Sequence, residues 1–381
     1  MTERIVVVGG GTGGTVVANR LADDLADEID AGEVEMTLVS DDPDHIYKPT
    51  FLYVAFGKRE AAEARRPLTE LVHRRVSLEI NRVVDIDVDA KELSLQDGDR
   101  TLGYDHLVLA TGAKLAPEEV PGLTEGGHHF YSAEGAERLR DALATFAGGT
   151  VVLSVIGVPH MCPAAPVEFV LMADDWFRER GIRDEVDLRY TYPIQRAHGI
   201  ESVAEWATEE FDERGIALET FCNPEEVDPQ SRVMHTMEGD VIEYDLLVAI
   251  PPHRGDELIR NAGLGEEGWV AVDKHTLEAA AADDVYAIGD TADVPTSKAG
   301  SVAHFQAGVV ADRIASRVRG QVPTARYDGK TICFVESGMD EATFLTFEYG
   351  SQPTVRTPSR FVHWTKLAYN ESYWLTARGH L

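Results

Sequence analysis

Gly9, Gly11 and Gly14 stand in the spacing G-x-G-x-x-G within the run Gly9-Gly10-Gly11-Thr12-Gly13-Gly14. Residues without a Cβ let backbone N–H groups at a helix N-terminus approach a pyrophosphate closely, so the chemistry expected here is dinucleotide binding. The same pattern asks for a ribose-holding group at the end of the next strand. That end reads Leu38-Val39-Ser40-Asp41-Asp42, which puts Ser40 at the position and Asp41 beside it. A serine accepts a hydroxyl bond more weakly than a carboxylate, and Asp41 also reads as a plain surface acid. Further along, Cys162 directly precedes a Pro-initiated helical stretch, Pro163-Ala164-Ala165-Pro166-Val167-Glu168. Free N–H groups at a helix start are expected to lower a thiol pKa and expose a nucleophile. Glu168, on the same stretch, is a candidate proton carrier if burial raises its pKa; the alternative is a surface carboxylate.

These residues need elements to hold them. Ile5 to Val8 is a short apolar run, the glycines follow, and Val17, Leu21 and Leu25 then recur with helical spacing before a second strand at Val34 to Val39. That is one βαβ unit. A strand follows Tyr104-Asp105 and ends in Ala110-Thr111-Gly112, with Pro117 and Pro121 as breakers. A second segment starts with a strand at Val151 to Ile156, has helical stretches near 164–178 and 201–214, and closes with a strand from Asp245 to Ile250. Val285 to Gly289 reads as one more strand, Gly300 to Val318 as a helix, and 326–381 as a small, aromatic-rich, strand-bearing portion. The expected fold class is α/β, with two Rossmann-like domains and a C-terminal portion: residues 1–115 with 254–325, interrupted by 116–253, then 326–381.

Ala110-Thr111-Gly112, together with Val285-Tyr286-Ala287-Ile288-Gly289-Asp290, resembles the flavoprotein pyridine-nucleotide-disulfide reductase superfamily. The resemblance implies bound FAD, with Thr111 and Gly112 beside it, the Asp290 carboxylate on a ribityl or pyrophosphate hydroxyl, and the helix from about Gly300 under the isoalloxazine. Val83, in Val83-Val84-Asp85-Ile86-Asp87, matches the family strand whose backbone touches adenine, and reads equally as a core valine. Most members carry a second glycine motif for NAD(P)H. Here the matching stretch, Ile156-Gly157-Val158-Pro159-His160-Met161-Cys162, is obstructed by Pro159, His160 and Met161, so nicotinamide is a poor electron partner.

The Cys162 stretch, with Thr331-Ile332-Cys333-Phe334-Val335-Glu336-Ser337-Gly338, resembles the branch of sulfide-quinone reductases and flavocytochrome sulfide dehydrogenases. That resemblance implies a Cys162–Cys333 redox disulfide attacked by sulfide, with electrons passing through FAD to a quinone. Lys298, in Pro295-Thr296-Ser297-Lys298-Ala299-Gly300, resembles the branch's Pro-x-Lys-x-Gly stretch beside the flavin, with one extra residue between Pro and Lys. Cys222 matches neither redox motif and reads as structural. Glu336, His160 and His198 are weaker candidates for proton carriers. Rival readings are a sulfide dehydrogenase with a haem-protein acceptor, a type II NADH dehydrogenase and a flavin-binding redox sensor.

Composition narrows the partners. The chain has 381 residues with 66 acidic against 35 basic, a formal charge of −31, which disfavours nucleic acid and suggests a salt-adapted surface. Three cysteines make no disulfide framework and the N-terminus lacks signal-peptide regions, so a cytoplasmic location is expected, with contact at the inner membrane face only peripheral. The segment Phe361 to Leu375 holds aromatics that suit a bilayer interface, a quinone ring, a packed terminal element or a homo-oligomer contact. No metal site is expected.

Overall fold

The computed structural model describes residues 2–98 and 100–379; the last two residues of the C-terminal portion lie outside it. The chain begins β1 (Glu3–Val8), α1 (Thr12–Asp24), β2 (Val34–Ser40), α2 (Thr50–Ala55), β3 (Ser77–Ile80), β4 (Val83–Asp87) and β5 (His106–Leu109). It continues β6 (Gly127–His128), β7 (Gly149–Val155), α3 (Ala165–Glu179), β8 (Val186–Tyr192), α4 (Glu201–Arg214), β9 (Ala217–Thr220) and β10 (Leu246–Ile250). The remainder supplies β11 (Val285–Ala287), α5 (Gly300–Val318), β12 (Thr331–Glu336), β13 (Ala342–Phe347) and α6 (Arg360–Ala377).

Two parallel five-stranded sheets organise these elements. The first has the order β11-β5-β1-β2-β3 and the second β6-β10-β7-β8-β9, so each places its first long strand at the centre. Central parallel strands are covered on both faces, which is why Ile5 to Val8 and Val151 to Val155 read as almost unbroken apolar runs. Val8 sits in register with Val39 on one side and Leu109 on the other. The carboxyl ends of β1, β2 and β5 therefore open together, at the place where open α/β sheets hold ligands. The chain leaves and re-enters the first sheet through two short segments, Lys114–Leu115 and His253–Arg254, which pair antiparallel.

The helix carrying the glycine loop is fixed from behind. Val16, Val17 and Leu21 of α1 and Val310 and Ile314 of α5 are fully buried in one cluster. Each such side chain contributes about 1.5–3 kcal/mol on leaving water. α5 is thereby aimed with its N-terminus at the same crevice.

The C-terminal portion bears strands, as expected, and ends in a helix that the sequence reading does not place. β12 and β13 pair as an antiparallel hairpin, Ala342 bridges Ser359, and an 18-residue helix follows. Ser359 caps α6 by accepting the Val362 N–H at 3.3 Å. The inward face of α6 carries His363, Lys366, Tyr373 and Ala377. Its helical period is written in polar and aromatic residues, and a search for apolar spacing misses it.

Candidate active site

A cavity of about 720 Å³ runs along the carboxyl ends of the first sheet. Its wall includes Gly9, Gly11, Ser40, Asp41, Val83, Thr111, Gly112, Asp290 and Lys298, and also Cys162, Glu168 and Cys333. The volume suits a cofactor rather than a water molecule.

At one end the glycines have separate tasks. Gly9 has φ +115°, and a Cβ there would lie 2.3 Å from the Ala110 carbonyl oxygen. A Cβ on Gly14 would lie 1.8 Å from the Gly9 oxygen, so this glycine lets α1 close on β1. Gly11 is different: a Cβ there meets nothing within 4 Å, and the space beside the start of α1 stays open. A backbone cradle with room in front of it, at a helix N-terminus, fits a dinucleotide pyrophosphate. The Ser40 hydroxyl donates to the Asp42 carbonyl at 2.8 Å, so it stabilises the loop after β2 as well as facing the cavity. Asp41 is exposed beside it. Val83 is buried at the start of β4, with its position on the cavity wall. Thr291 ties the β5 and β11 ends together, its hydroxyl accepting the Gly112 N–H at 2.7 Å and lying 3.4 Å from the Thr111 Oγ1.

At the other end are the sulfurs. Cys162 has φ +47°, its N–H donates to the Lys298 carbonyl at 2.7 Å, and its own carbonyl accepts the Ala165 N–H at 2.9 Å. Its exposure is to the cavity it lines, not to the outer surface. Cys333 lies on β12 opposite Leu345. Burial pushes the Cys162 thiol up to about 12, and the Glu168 charge adds to this. Burial raises Cys333 too, with Cys162 and Glu168 as the next causes, so the two sulfurs are in electrostatic reach of one another. The expected depression of the Cys162 pKa is thus reversed. The Ala165 N–H does act to lower it, but desolvation outweighs one amide.

Glu168 projects from the first turn of α3 and is buried. Its Oε1 accepts the Glu336 N–H at 2.8 Å and is paired with the Lys366 ammonium. Burial raises its pKa, partly offset by Lys366. Glu336 is fully buried on β12, where its Oε1 accepts the Tyr53 hydroxyl at 2.5 Å and its Oε2 lies 3.0 Å from His363 Nδ1. Two carboxylates and one lysine thus share a buried pocket beside the thiols.

Lys298 lines the cavity with its ammonium engaged by the protein. Its Nζ donates to the backbone carbonyl of Asp290 at 2.7 Å and lies 3.8 Å from the centre of the Trp269 ring. Lys48 also lines the cavity, with Nζ 3.1 Å from Met161 Sδ. Burial raises the Asp290 carboxyl, and both lysines oppose that shift. Cys222 is buried away from the cavity with its N–H on the Tyr192 carbonyl at 3.1 Å. His160 and His198 do not line the cavity, and burial drives both down to about 4, so they stay neutral at pH 7. His160 and Met161 are packed inside the loop after β7, where the second sheet would otherwise offer a phosphate turn.

Sequence reasoning missed Lys48, Tyr53, His363 and Lys366. For the lysines a signal existed: Lys is scarce beside Arg in this chain, and Lys48, Lys114, Lys298 and Lys366 line the cavity. Of Phe361, Trp364, Tyr369, Tyr373 and Trp374, only Tyr373 is buried, stacking on Tyr47 at 3.9 Å and meeting Thr12 Oγ1 at 2.6 Å. Phe361 and Trp364 remain 79% and 67% exposed. Among the described residues no group of three or more His, Cys, Asp or Glu is placed to hold a metal ion, and no helix is long and apolar enough to cross a membrane.

Comparison with known proteins agrees with this architecture. The mitochondrial sulfide:quinone oxidoreductase of Mus musculus is 26% identical over 366 residues, covering 93% of this chain and 80% of the mouse protein. The sulfide-quinone reductase of Aquifex aeolicus is 24% identical over 409 residues, covering 100% and 93%. The X-ray structure of the Aquifex aeolicus sulfide:quinone oxidoreductase superposes with a TM-score of 0.85 at 23% identity, covering all of this chain and 92% of that one. Residues 3–326 match the family described as pyridine nucleotide-disulphide oxidoreductase. The chain belongs to that family.

Proposed function

We propose that this protein is a flavoprotein oxidoreductase that oxidises sulfide at Cys162 and Cys333 and delivers the electrons to a quinone. The observation that carries the reading is one cavity bordered by a dinucleotide cradle at one end and by two cysteines at the other. The sulfide:quinone oxidoreductase names of relatives that cover nearly the whole chain support the same substrates. On this reading residues 1–115 and 254–325 hold FAD, 116–253 is a Rossmann-like domain without a nicotinamide site, and 326–381 carries the quinone and membrane contacts.

Gly9, Gly11, Gly14 and the start of α1 would hold the pyrophosphate, Ser40 and Asp41 the ribose, and Val83, Thr111, Gly112 and Asp290 the rest of FAD. Bound FAD supplies a two-electron acceptor for the cysteine pair and a donor to quinone. The chemistry of the pair itself is thiol–disulfide exchange. Hydrosulfide attacks a Cys162–Cys333 disulfide, the S–S bond breaks, and one cysteine becomes a persulfide while the other leaves as thiolate. A second hydrosulfide or another thiol removes the outer sulfur and leaves two reduced cysteines. With hydrosulfide as reactant and HSS− as product one proton stays on the pair, and re-forming the disulfide releases it together with two electrons. Because burial raises both thiols, a proton acceptor beside them is required. Glu168, itself raised by burial, is that acceptor. Lys366 opposes the rise of both thiols and so favours thiolate formation.

α6 turns Phe361, Trp364 and Leu375 to solvent, all more than half exposed. Apolar side chains at this helical spacing suit a peripheral membrane contact, where a quinone dissolves.

The test is an anaerobic titration of the purified yellow protein. Sulfide is expected to bleach the flavin, NADH to leave it unchanged, and a water-soluble quinone analogue to restore the colour. Bleaching by NADH with no response to sulfide would overturn the reading.

A further inference from the structure

The second half of α6 grips the helix that carries the glycine loop. Tyr373 is buried, its ring stacks on Tyr47 at 3.9 Å, and its hydroxyl lies 2.6 Å from Thr12 Oγ1 and 2.7 Å from His45 Nε2. One turn further along α6, the Ala377 carbonyl accepts an N–H of the Asn19 side chain at 2.8 Å. Thr12 and Asn19 are about two turns apart on α1, so both contacts fall along one face of that helix. The Tyr47 hydroxyl in turn donates to Asn370 Oδ1 at 2.7 Å. Thr12, Lys366, Tyr369, Asn370 and Tyr373 all line the cavity, so α6 walls it at the start of α1.

The groups between the two helices fit together in one direction only. The Thr15 hydroxyl donates to the Gly10 carbonyl at 3.0 Å, which leaves its oxygen to accept from His45 Nδ1, 3.1 Å away. His45 is fully buried, and burial drives its pKa down to about 4. At pH 7 the ring is therefore neutral, with a proton on one nitrogen and a lone pair on the other. With Nδ1 protonated, Nε2 must accept, and the Tyr373 O–H is the donor beside it. The Tyr373 oxygen then accepts the Thr12 O–H. This order, assigned from the hydrogen-bond network, commits the Thr12 proton to α6. The donors that the start of α1 turns to a ligand are then its backbone N–H groups.

Resting on the assignment of FAD to this cavity, we infer that Tyr373 is a positioning residue for the cofactor: it holds Thr12 and the first turn of α1 in place for the pyrophosphate, while α6 closes the cavity. Gly11 leaves room in front of that turn, and Tyr373 fixes the turn from the side. The coupling is reciprocal: the factor by which α6 docking raises FAD affinity is the factor by which bound FAD favours the docking of α6. The outward face of α6 carries Phe361, Trp364 and Leu375. The helix proposed for the membrane contact is thus also the one that retains the cofactor.

The test is a double-mutant cycle with Tyr373→Phe, Thr12→Val and the two combined. Tyr373→Phe keeps a ring to stack on Tyr47 and removes only the hydroxyl. Serial dilution of each holoenzyme, read by the fluorescence of released FAD, gives its dissociation constant. Each single variant is expected to bind FAD about tenfold more weakly, and the double variant also about tenfold, because both substitutions break the same link. Tyr373→Phe with wild-type affinity overturns the inference even where its thermal midpoint falls, since that is the behaviour of a purely structural tyrosine. A double variant weakened about a hundredfold overturns the route through Thr12. Hydrogen exchange supplies a measurement on wild type alone: removing FAD is expected to speed exchange of the amides at 373–377, and unchanged exchange there overturns the coupling. If wild type itself holds no FAD, the cofactor assignment fails instead, and the two failures are told apart.

Discussion

Replacing Gly11 and Gly14 separately with alanine distinguishes a glycine kept for the ligand from a glycine kept for the fold. At Gly14 the new Cβ would sit 1.8 Å from the Gly9 carbonyl oxygen, a backbone atom that cannot swing aside. α1 must then lift from β1, at a cost of about 1–3 kcal/mol or more for forced overpacking. At Gly11 the Cβ meets nothing, and φ is −79°, which alanine adopts freely. Loss of unfolded-chain freedom stabilises by about 0.4–1 kcal/mol, while alanine is a poorer helix cap than glycine by a similar amount. The Gly11→Ala apoprotein should therefore unfold within about 0.5 kcal/mol of wild type. The same methyl occupies the open space in front of the first amides of α1. FAD affinity should fall at least about a hundredfold, near 2.7 kcal/mol. Urea unfolding of the apoproteins and fluorescence titration with FAD measure the two effects. A Gly11→Ala protein that binds FAD like wild type would refute the assignment of that space, and a destabilised apoprotein would refute the claim that it is open.

Other consequences follow from the charges and the exposed helix. Cys162 has its pKa raised from 9.0 to about 12 in the folded, reduced protein. Its contribution to stability is then full below pH 9 and is lost as pH rises toward 12, so urea midpoints of reduced wild type should fall above pH 9 faster than those of Cys162→Ser. A parallel fall in both proteins would contradict the burial argument. The net charge of −31 predicts a thermal midpoint several degrees higher in 1 M than in 0.1 M salt, because the screening length shrinks from about 10 to about 3 Å. Surface ion pairs weaken in the same change, but each is worth about 0–1 kcal/mol, so a midpoint that falls with salt would mean the pairs outweigh the repulsion. Trp364→Asp should reduce co-sedimentation with neutral phosphatidylcholine vesicles while leaving FAD content intact. Unchanged sedimentation would remove α6 from the membrane contact.

The sequence is informative where one residue type serves one geometric need. Gly9 and Gly14 announce a backbone approach, and the apolar runs of β1 and β7 announce strands covered on both faces. It is less informative where the need is electrostatic. The neighbours of Cys162 suggested a helix start that lowers its pKa, yet the sign depends on how much protein surrounds the sulfur, a property of the assembled cavity. Lys366 and His363 lie far along the chain from Glu168 and Glu336. Their meeting depends on α6 folding back over the cavity, with a buried face whose polar side chains hide its period. At Lys298 the motif position is legible, whereas the partners of its ammonium, the Asp290 carbonyl and the Trp269 ring, are set by the fold.

The central claim is that Cys162 and Cys333 together connect sulfide to the flavin. Its most direct test is anaerobic sulfide titration of Cys162→Ser and Cys333→Ser, each confirmed to hold FAD at the wild-type ratio. The account predicts that neither variant bleaches within the time in which wild type bleaches fully. Full bleaching of either one at the wild-type rate would contradict it.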